Sequence, residues 1–302
     1  MRCGLKKLTL FLLGVALLKS MLIAEVNRVN EFYVIPHREA GLFSTFTTVV
    51  SFLDYYDKGS YAGFEIDFEN QGFYYDESYG LNWWTYYFEP DSMGSPMGAT
   101  IKVLEFNELA NNAPFFSLTR KRIHELIEKY IHVKRHIKKK VNAFKNSHFK
   151  DSYVIGIHYR ATDHIVESSI VPYEKVYEEI IKAVRAYIFS SRKFNWKIFV
   201  ATDDANFLQH ISQRFPGNVI FQDAIRSSNS EPVHMTLTNG YQKGEEALID
   251  CLLLSNCHLF IKTASNLGDS ALCFNPSLPF VQLNKFNDGD LRNNSHFYTD
   301  VR

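Results

Sequence analysis

The chain has 302 residues, about twice the length of an ordinary domain, so the expectation is two domains. Apolar residues make up 46% and charged residues 22% of it, which excludes an intrinsically disordered chain. The 33 basic residues balance the 33 acidic ones, so no whole-molecule field favours nucleic acid, and any anionic ligand must be held by a local pocket.

The first element is a basic start, Met1 to Lys7, followed by the apolar run Leu8 to Leu18, with Lys19 interrupting before Ala24. This is the anatomy of a signal peptide or of a short anchor, and it implies membrane association through residues 8–24 or entry to a secretory pathway. In a bacterial cell the folded part could instead face the cytoplasm. Residues 1–30 are therefore set apart from the folded part. Cys3, Cys251, Cys257 and Cys273 are too few and too unevenly placed for a disulfide framework and contain no CxxC pair for zinc. Buried thiols are the favoured reading, with a Cys251–Cys257 pairing left open.

Residues 31–150 form one region, rich in aromatics and glycine in its first part. Phe32 to Ile35 reads as a short buried strand, and Ser44 to Tyr56 as a helix after a glycine turn at Gly41. The rings between Phe73 and Phe88, Trp83 and Trp84 among them, read as core rather than as a sugar-stacking surface. From Thr119 to Phe144 the apolar positions Ile123, Leu126, Ile127, Tyr130, Ile131, Ile137 and Val141 predict one long bridging helix. Its basic face is an ordinary solvated face.

Residues 151–302 change rhythm. Strands are predicted at Val154 to Ile157, Lys197 to Val200, Val219 to Phe221, Leu259 to Ile261 and Phe280 to Leu283. Helices fall between them, at Tyr173 to Ser190, Ala205 to Phe215, Gly244 to Ser255 and Asn266 to Phe274. Alternation of this kind defines an α/β domain with a parallel sheet, whose ligand sits outside the carboxyl ends of the strands. Three of those ends carry polar residues suited to a diphosphate: His158-Tyr-Arg-Ala-Thr-Asp163, Ala201-Thr-Asp-Asp204 and Lys262-Thr-Ala-Ser265. The last precedes a helix, where backbone amides with the Thr263 and Ser265 hydroxyls can hold phosphate oxygens. Arg160 adds a planar fork whose charge survives the exclusion of water.

The candidate residues also have structural readings. Asp163 is as well suited to pair with Arg160 or to cap the next helix, and Asp203-Asp204 is an adequate helix cap. Asp250 is harder to assign a structural role, because it lies between Ile249 and Leu252-Leu-Leu254 on an apolar helix and needs a partner. His158 and His164, six apart across a turn, lack the further ligands of a metal site.

The segment Ile155 to Asp163 resembles the H-x-R-x-x-D motif of the fucosyltransferase superfamily that includes α1,6- and α1,2-fucosyltransferases, nodulation-type enzymes and protein O-fucosyltransferases. Phe199 to Asp204, and Ala247 to Ser255 continuing to Lys262 to Ser265, follow in matching order, so the resemblance covers about residues 150–285. It implies a GT-B-like α/β fold of two Rossmann-like domains facing a cleft, with GDP-fucose on the C-terminal one. It also implies inverting transfer without a metal or other cofactor to a glycan or glycoconjugate hydroxyl. Arg160 falls on the arginine that contacts the β-phosphate, with His158 near the nucleotide. Asp250 falls on the acid that reads guanine, Ser265 on a phosphate-binding serine, and Asp203 and Asp204 on the acidic pair of the nucleotide pocket. Ala161 stands where the α1,6 enzymes have a second arginine, and Thr45 where relatives have asparagine. No sequence signal selects a general base; Glu65, Asp67, Asp76 and Glu77 are the acids of the acceptor side. A transferase using another nucleotide-sugar such as GDP-mannose, or a glycan-binding protein without activity, are the alternative readings.

Overall fold

The computed structural model describes residues 30–105, 113–160, 168–228, 233, 239–287, 290–294 and 296–299. The signal or anchor stretch expected at residues 8–24 lies outside them. Among the described residues no helix is long and apolar enough to cross a membrane.

The N-terminal half is built on a four-stranded sheet. Strand β1 (Glu31–Pro36) lies between β2 (Gly63–Asp67) and β5 (Thr100–Val103), both parallel to it, and β4 (Ser92–Gly94) runs antiparallel along the outside of β2. Helix α1 (Leu42–Asp57) follows the turn at Gly41 and buries Phe46, Val49, Val50 and Leu53 along one face, at the i, i+3, i+4, i+7 spacing of a helix on a core. Helix α2 (Trp84–Tyr87) and β3 (Phe88–Glu89) carry the dense aromatic run. Trp83, Trp84, Tyr87 and Phe88 are at most 1% exposed, so these rings are core and offer no sugar-stacking face.

The long bridging helix predicted over 119–144 is two helices. After α3 (Ala113–Ser117), α4 (Arg120–Tyr130) starts at a Thr119 cap, whose hydroxyl accepts the Arg122 N–H at 3.1 Å, and ends as Ile131 turns extended. His132–Val133 then forms β6, antiparallel to Phe88–Glu89, and the Lys134 N–H donates to the Tyr87 carbonyl at 2.9 Å before α5 (Arg135–His148) begins. The break contains neither glycine nor proline. It is made by a tertiary strand pairing that the β-branched Ile131 and Val133 accept readily, and helical periodicity carries no trace of such a pairing.

The C-terminal half is a five-stranded, fully parallel sheet in the order β11 (Phe280–Gln282), β10 (Leu259–Lys262), β7 (Tyr153–Tyr159), β8 (Trp196–Thr202), β9 (Val219–Ile220). All five strands stand where the sequence places them, to within a residue or two. Alternate residues of the central strands enter two separate cores, as the pleat requires. Ile155, Ile157, Ile198 and Val200 pack with Val176 and Ile180 of α6 (Tyr173–Ser191) and Phe207 and Ile211 of α7 (Ala205–Arg214). Val154, Phe199 and Phe260 pack on the other face with α8 (Gly240–Ser255) and α9 (Asn266–Phe274). Gly156 is required on that face, because a Cβ there would stand 2.8 Å from the Cys257 sulfur. Cys251, Cys257 and Cys273 are buried free thiols, so the Cys251–Cys257 pairing left open above does not form.

The second of these cores runs without interruption into the N-terminal half, through Phe46, Trp84, Phe88 and Leu126. Tyr87 anchors the junction: its hydroxyl donates to the Tyr241 carbonyl at 2.9 Å, and Gly244 leaves room for its ring.

Candidate active site

Strands β7 and β10 are sequence-distant neighbours at the centre of the sheet, and the chain winds outward from them in opposite directions. This is the topological switch point, where loops leaving the strand ends diverge and open a crevice. Arg160 and Thr263 are the first residues beyond the two strands. The Arg160 N–H donates to the Thr263 hydroxyl at 3.0 Å, and the Thr263 N–H donates to the His158 carbonyl at 3.0 Å, so the two strand ends are stitched at the mouth of the crevice. The Arg160 guanidinium, one-fifth exposed, forms an ion pair with Asp203 at the end of β8. His158 is buried and its Nδ1 meets the Ala201 carbonyl at 3.2 Å, which fixes that nitrogen as the protonated one. Ser265 is the N-cap of α9, its hydroxyl accepting the Gly268 N–H at 3.0 Å. The first amides of α9, at Asn266 and Leu267, have no carbonyl within their own helix, and Leu267 lines the crevice.

A slot of about 110 Å3 opens here, lined by His158, Arg160, Thr202, Asp203 and Leu267 on the strand side and by Lys243, Glu246, Ala247 and Asp250 of α8. Tyr74 of the N-terminal half closes it. Ligand pockets commonly span ~300–1,000 Å3, so the slot accepts part of a ligand and the remainder extends into the open cleft. Burial pushes the Tyr74 phenol up to about 12, so it stays a neutral donor and acceptor; the Leu42 N–H donates to it at 2.9 Å.

Asp250 sits at the far end of the slot. Gln222, in the strap that follows β9, donates its amide to the carboxylate at 2.8 Å and to the Glu246 carbonyl at 2.6 Å. The Ile225 N–H donates to the Glu246 carboxylate at 2.9 Å. Burial raises the Asp250 carboxyl to about 7, against the opposing influences of Arg226 and Gln222. It is a desolvated acid held in place beside a cavity, as the apolar sequence around it anticipates.

The two adjacent acids after β8 divide. Asp203 turns to Arg160. Asp204 caps α7, accepting the Asn206 and Phe207 N–H groups at 2.8 and 3.2 Å, while its other oxygen accepts the Tyr173 hydroxyl at 3.0 Å. The structure thus brings Arg160, His158, Asp203, Asp250 and Thr263 together, with Ser265 at the adjoining helix end, and leaves Asp204 as a structural cap. Asp163 and His164 lie outside the described residues. Glu65, Asp67, Asp76 and Glu77 do not line the slot. Tyr74, Gln222, Lys243 and Glu246 do not emerge from the sequence reading. The spacing of Lys243, Glu246 and Asp250 (i, i+3, i+7) marks one helix face, so Asp250 could have pointed to Lys243 and Glu246. Among the described residues no group of three or more His, Cys, Asp or Glu side chains is placed to hold a metal ion.

A doubly wound parallel sheet with an arginine and an open helix N-terminus at its switch point defines an α/β nucleotide-binding unit, here facing a second α/β sheet in a GT-B-like fold. Solved structures agree. A NodZ α-1,6-fucosyltransferase soaked with GDP-fucose is 18% identical over 87% of this chain and 96% of its own, with a TM-score of 0.56. The fucosyltransferase NodZ from Bradyrhizobium is 18% identical over 85% of this chain and 98% of its own, with a TM-score of 0.51. No curated protein matches the chain in sequence. Residues 118–291 match the family model of nodulation protein Z (NodZ). That is more than half of the chain, which therefore belongs to the NodZ family.

Proposed function

We propose that this protein is an inverting fucosyltransferase that moves fucose from GDP-fucose to a hydroxyl of a glycan or protein, without a metal ion. The observation that carries the reading is Arg160 at the β7/β10 switch point, in one slot with the buried Asp250. The membership of the NodZ family supports it, and a NodZ structure soaked with GDP-fucose shares the fold. In this reading guanine lies against Asp250, whose carboxylate accepts the N1–H and the exocyclic amine, and the diphosphate reaches Arg160, the Thr263 and Ser265 hydroxyls and the first amides of α9. The acceptor enters from the side of Tyr74, with residues 31–150 as the acceptor-side domain and residues 151–302 as the donor domain. Residues 8–24 attach the protein to a membrane or direct it into a secretory route.

Transfer breaks the bond between the anomeric carbon and the β-phosphate oxygen while the acceptor oxygen bonds to the opposite face, and the acceptor's hydroxyl proton passes to water or to the departing diphosphate. Negative charge develops on the departing diphosphate. A guanidinium held by Asp203, together with preorganised helix amides, stabilises that charge without reorganising water, and loss of one such contact typically costs ~10²–10³ in rate. Asp203 holds the fork in register and yields part of it to phosphate.

The test is calorimetry of the full chain with GDP, GDP-fucose, GDP-mannose and UDP-sugars, followed by donor turnover with and without chelator. Guanine nucleotides should bind selectively, Arg160→Ala and Asp250→Ala should each weaken them, and chelator should leave turnover intact. A folded wild-type chain that ignores every guanine nucleotide would sink the proposal, and a strict requirement for a divalent ion would remove its metal-free part.

A further inference from the structure

Helix α8 presents three charged side chains to the slot on one face: Lys243, Glu246 and Asp250. The carboxylate of Glu246 is already engaged, by the Ile225 N–H at 2.9 Å and by the Gln242 amide at 2.6 Å, so it serves to hold the strap. Asp250 and Lys243 stand at the two ends of the stripe, seven residues or about 10 Å apart along the helix axis. Asp250 marks the base end. Lys243 marks the other; it lines the slot together with Tyr74 and Arg160, and only 5% of it is exposed.

Lys243 is badly placed for stability. It lies in the first turn of α8, one turn after Asn239, where the helix dipole presents positive charge and no acidic residue occupies the first turn. Burial lowers its pKa, which is the mark of a cation deprived of water. Its place in the wall of the slot brings this cation to the same cavity as Arg160 and Asp250.

We propose that Lys243 is a second cationic contact for the terminal phosphate of a nucleoside diphosphate laid along α8, with its base at Asp250, so that Arg160 and Lys243 grip the leaving group from opposite walls. The inference rests on the functional reading above and assigns the phosphate end of the same site. It accounts for the asymmetry of the helix face, acid at one end and base at the other, which matches a ligand with hydrogen-bond donors at one end and anionic oxygens at the other. Arg160 neutralises charge from the strand wall with a planar fork; the lysine is a point charge that follows the phosphate as the bond to sugar breaks.

The experiment compares GDP with GMP, which lacks the terminal phosphate, on the full-length protein. Lys243→Met should weaken GDP roughly tenfold to a hundredfold, the range for loss of one charge-assisted contact. GMP should change far less, and Lys243→Arg should restore most of the difference. Equal losses for GDP and GMP would mean that Lys243 only supports the wall, and unchanged GDP affinity would remove it from the site. Because the methionine variant can fail to fold, the wild-type chain is also treated with an acyl phosphate of GDP. Its acyl group passes to an amine beside the terminal phosphate, with GDP leaving, and peptide masses identify the lysine. Acylation of Lys243 that free GDP suppresses is the expected result; acylation elsewhere with Lys243 untouched overturns the proposal. Failure of the wild type to bind GDP at all would count against the functional reading instead, so the two are separable.

Discussion

Asp250 couples the stability of the nucleotide-free chain to pH in a direction opposite to that of an ordinary salt-bridged acid, while ligand affinity follows the ordinary direction. Its carboxyl titrates near 7 in the folded chain, against ~4 for a free aspartate in an unfolded one. Between those values the folded state keeps a proton that the unfolded state releases. The contribution of this group to stability is therefore greatest below pH ~4 and falls as pH rises to about 7, by up to a few kcal/mol at ~1.4 kcal/mol per unit. Guanine, by contrast, presents donors and needs the ionised carboxylate. GDP affinity should rise as pH passes upward through about 7, while the nucleotide-free protein loses stability over the window below it. Asp250→Asn should flatten both trends. Calorimetry and urea melts at pH 5.5 and 8 check this, and a wild-type affinity independent of pH would remove guanine from Asp250.

At the same scale, the sequence showed Arg160, Thr263, Ser265 and Asp250 because each answers to a local rule: polar residues after a strand, hydroxyls before a helix, an acid in an apolar helix. Tyr74 and Gln222 obey no such rule. Tyr74 reaches the slot from the other half of the chain, and Gln222 from a strap with no periodicity of its own. Their roles arise only from tertiary placement. The fate of the two neighbouring acids was equally hidden, since adjacent side chains at a strand end point to different sides and the sequence does not say which faces the ligand.

That division becomes a prediction about an element, helix α7. Asp204 accepts two amides of its first turn, and loss of such a cap costs about 1 kcal/mol. Asp204→Ala should lower stability by about that amount, with the affinity for GDP changed less than twofold to threefold at room temperature. Asp203→Ala should do the reverse: it removes the ion pair that positions the Arg160 guanidinium, so its effect falls on nucleotide binding and turnover. Urea denaturation and calorimetry on the two variants separate cap from site, and equal effects on binding would restore Asp204 to the pocket. The elements themselves were legible in proportion to how locally they are determined. The three central C-terminal strands, buried on both faces, announce themselves as runs of Val, Ile and Phe. The segment from Arg120 to His148 does not, because its short β6 exists only where Phe88–Glu89 meets it, and periodicity supplies no signal for a partner forty residues away.

At the scale of the whole molecule, two sheets suggest two cooperative units, but the packing does not. The larger core includes Phe46, Val50, Trp84 and Phe88 from the first half and Val154, Phe199, Leu248, Leu254 and Phe260 from the second, in unbroken contact. Helix α9 packs against both α1 and α4, and α8 against α2 and α5. Opening the cleft along this seam would expose those side chains together, so neither half retains a complete core alone. The full chain should therefore unfold in one transition, with fluorescence of the buried Trp83 and Trp84 and far-ultraviolet dichroism changing at the same denaturant concentration. Gly244→Ala tests the seam directly. Its Cβ would stand 2.2 Å from the Tyr87 hydroxyl and 2.4 Å from the ring carbon bearing it, and that ring is fully buried, with no space into which to retreat. The added methyl should cost ~1–3 kcal/mol, the usual penalty of overpacking. Because Tyr87 packs beneath the first turns of α8, the displacement should also shift Lys243 and reduce GDP affinity. A stable Gly244→Ala protein that melts in two separate steps would show that the halves are independent and that the slot is built by the C-terminal half alone.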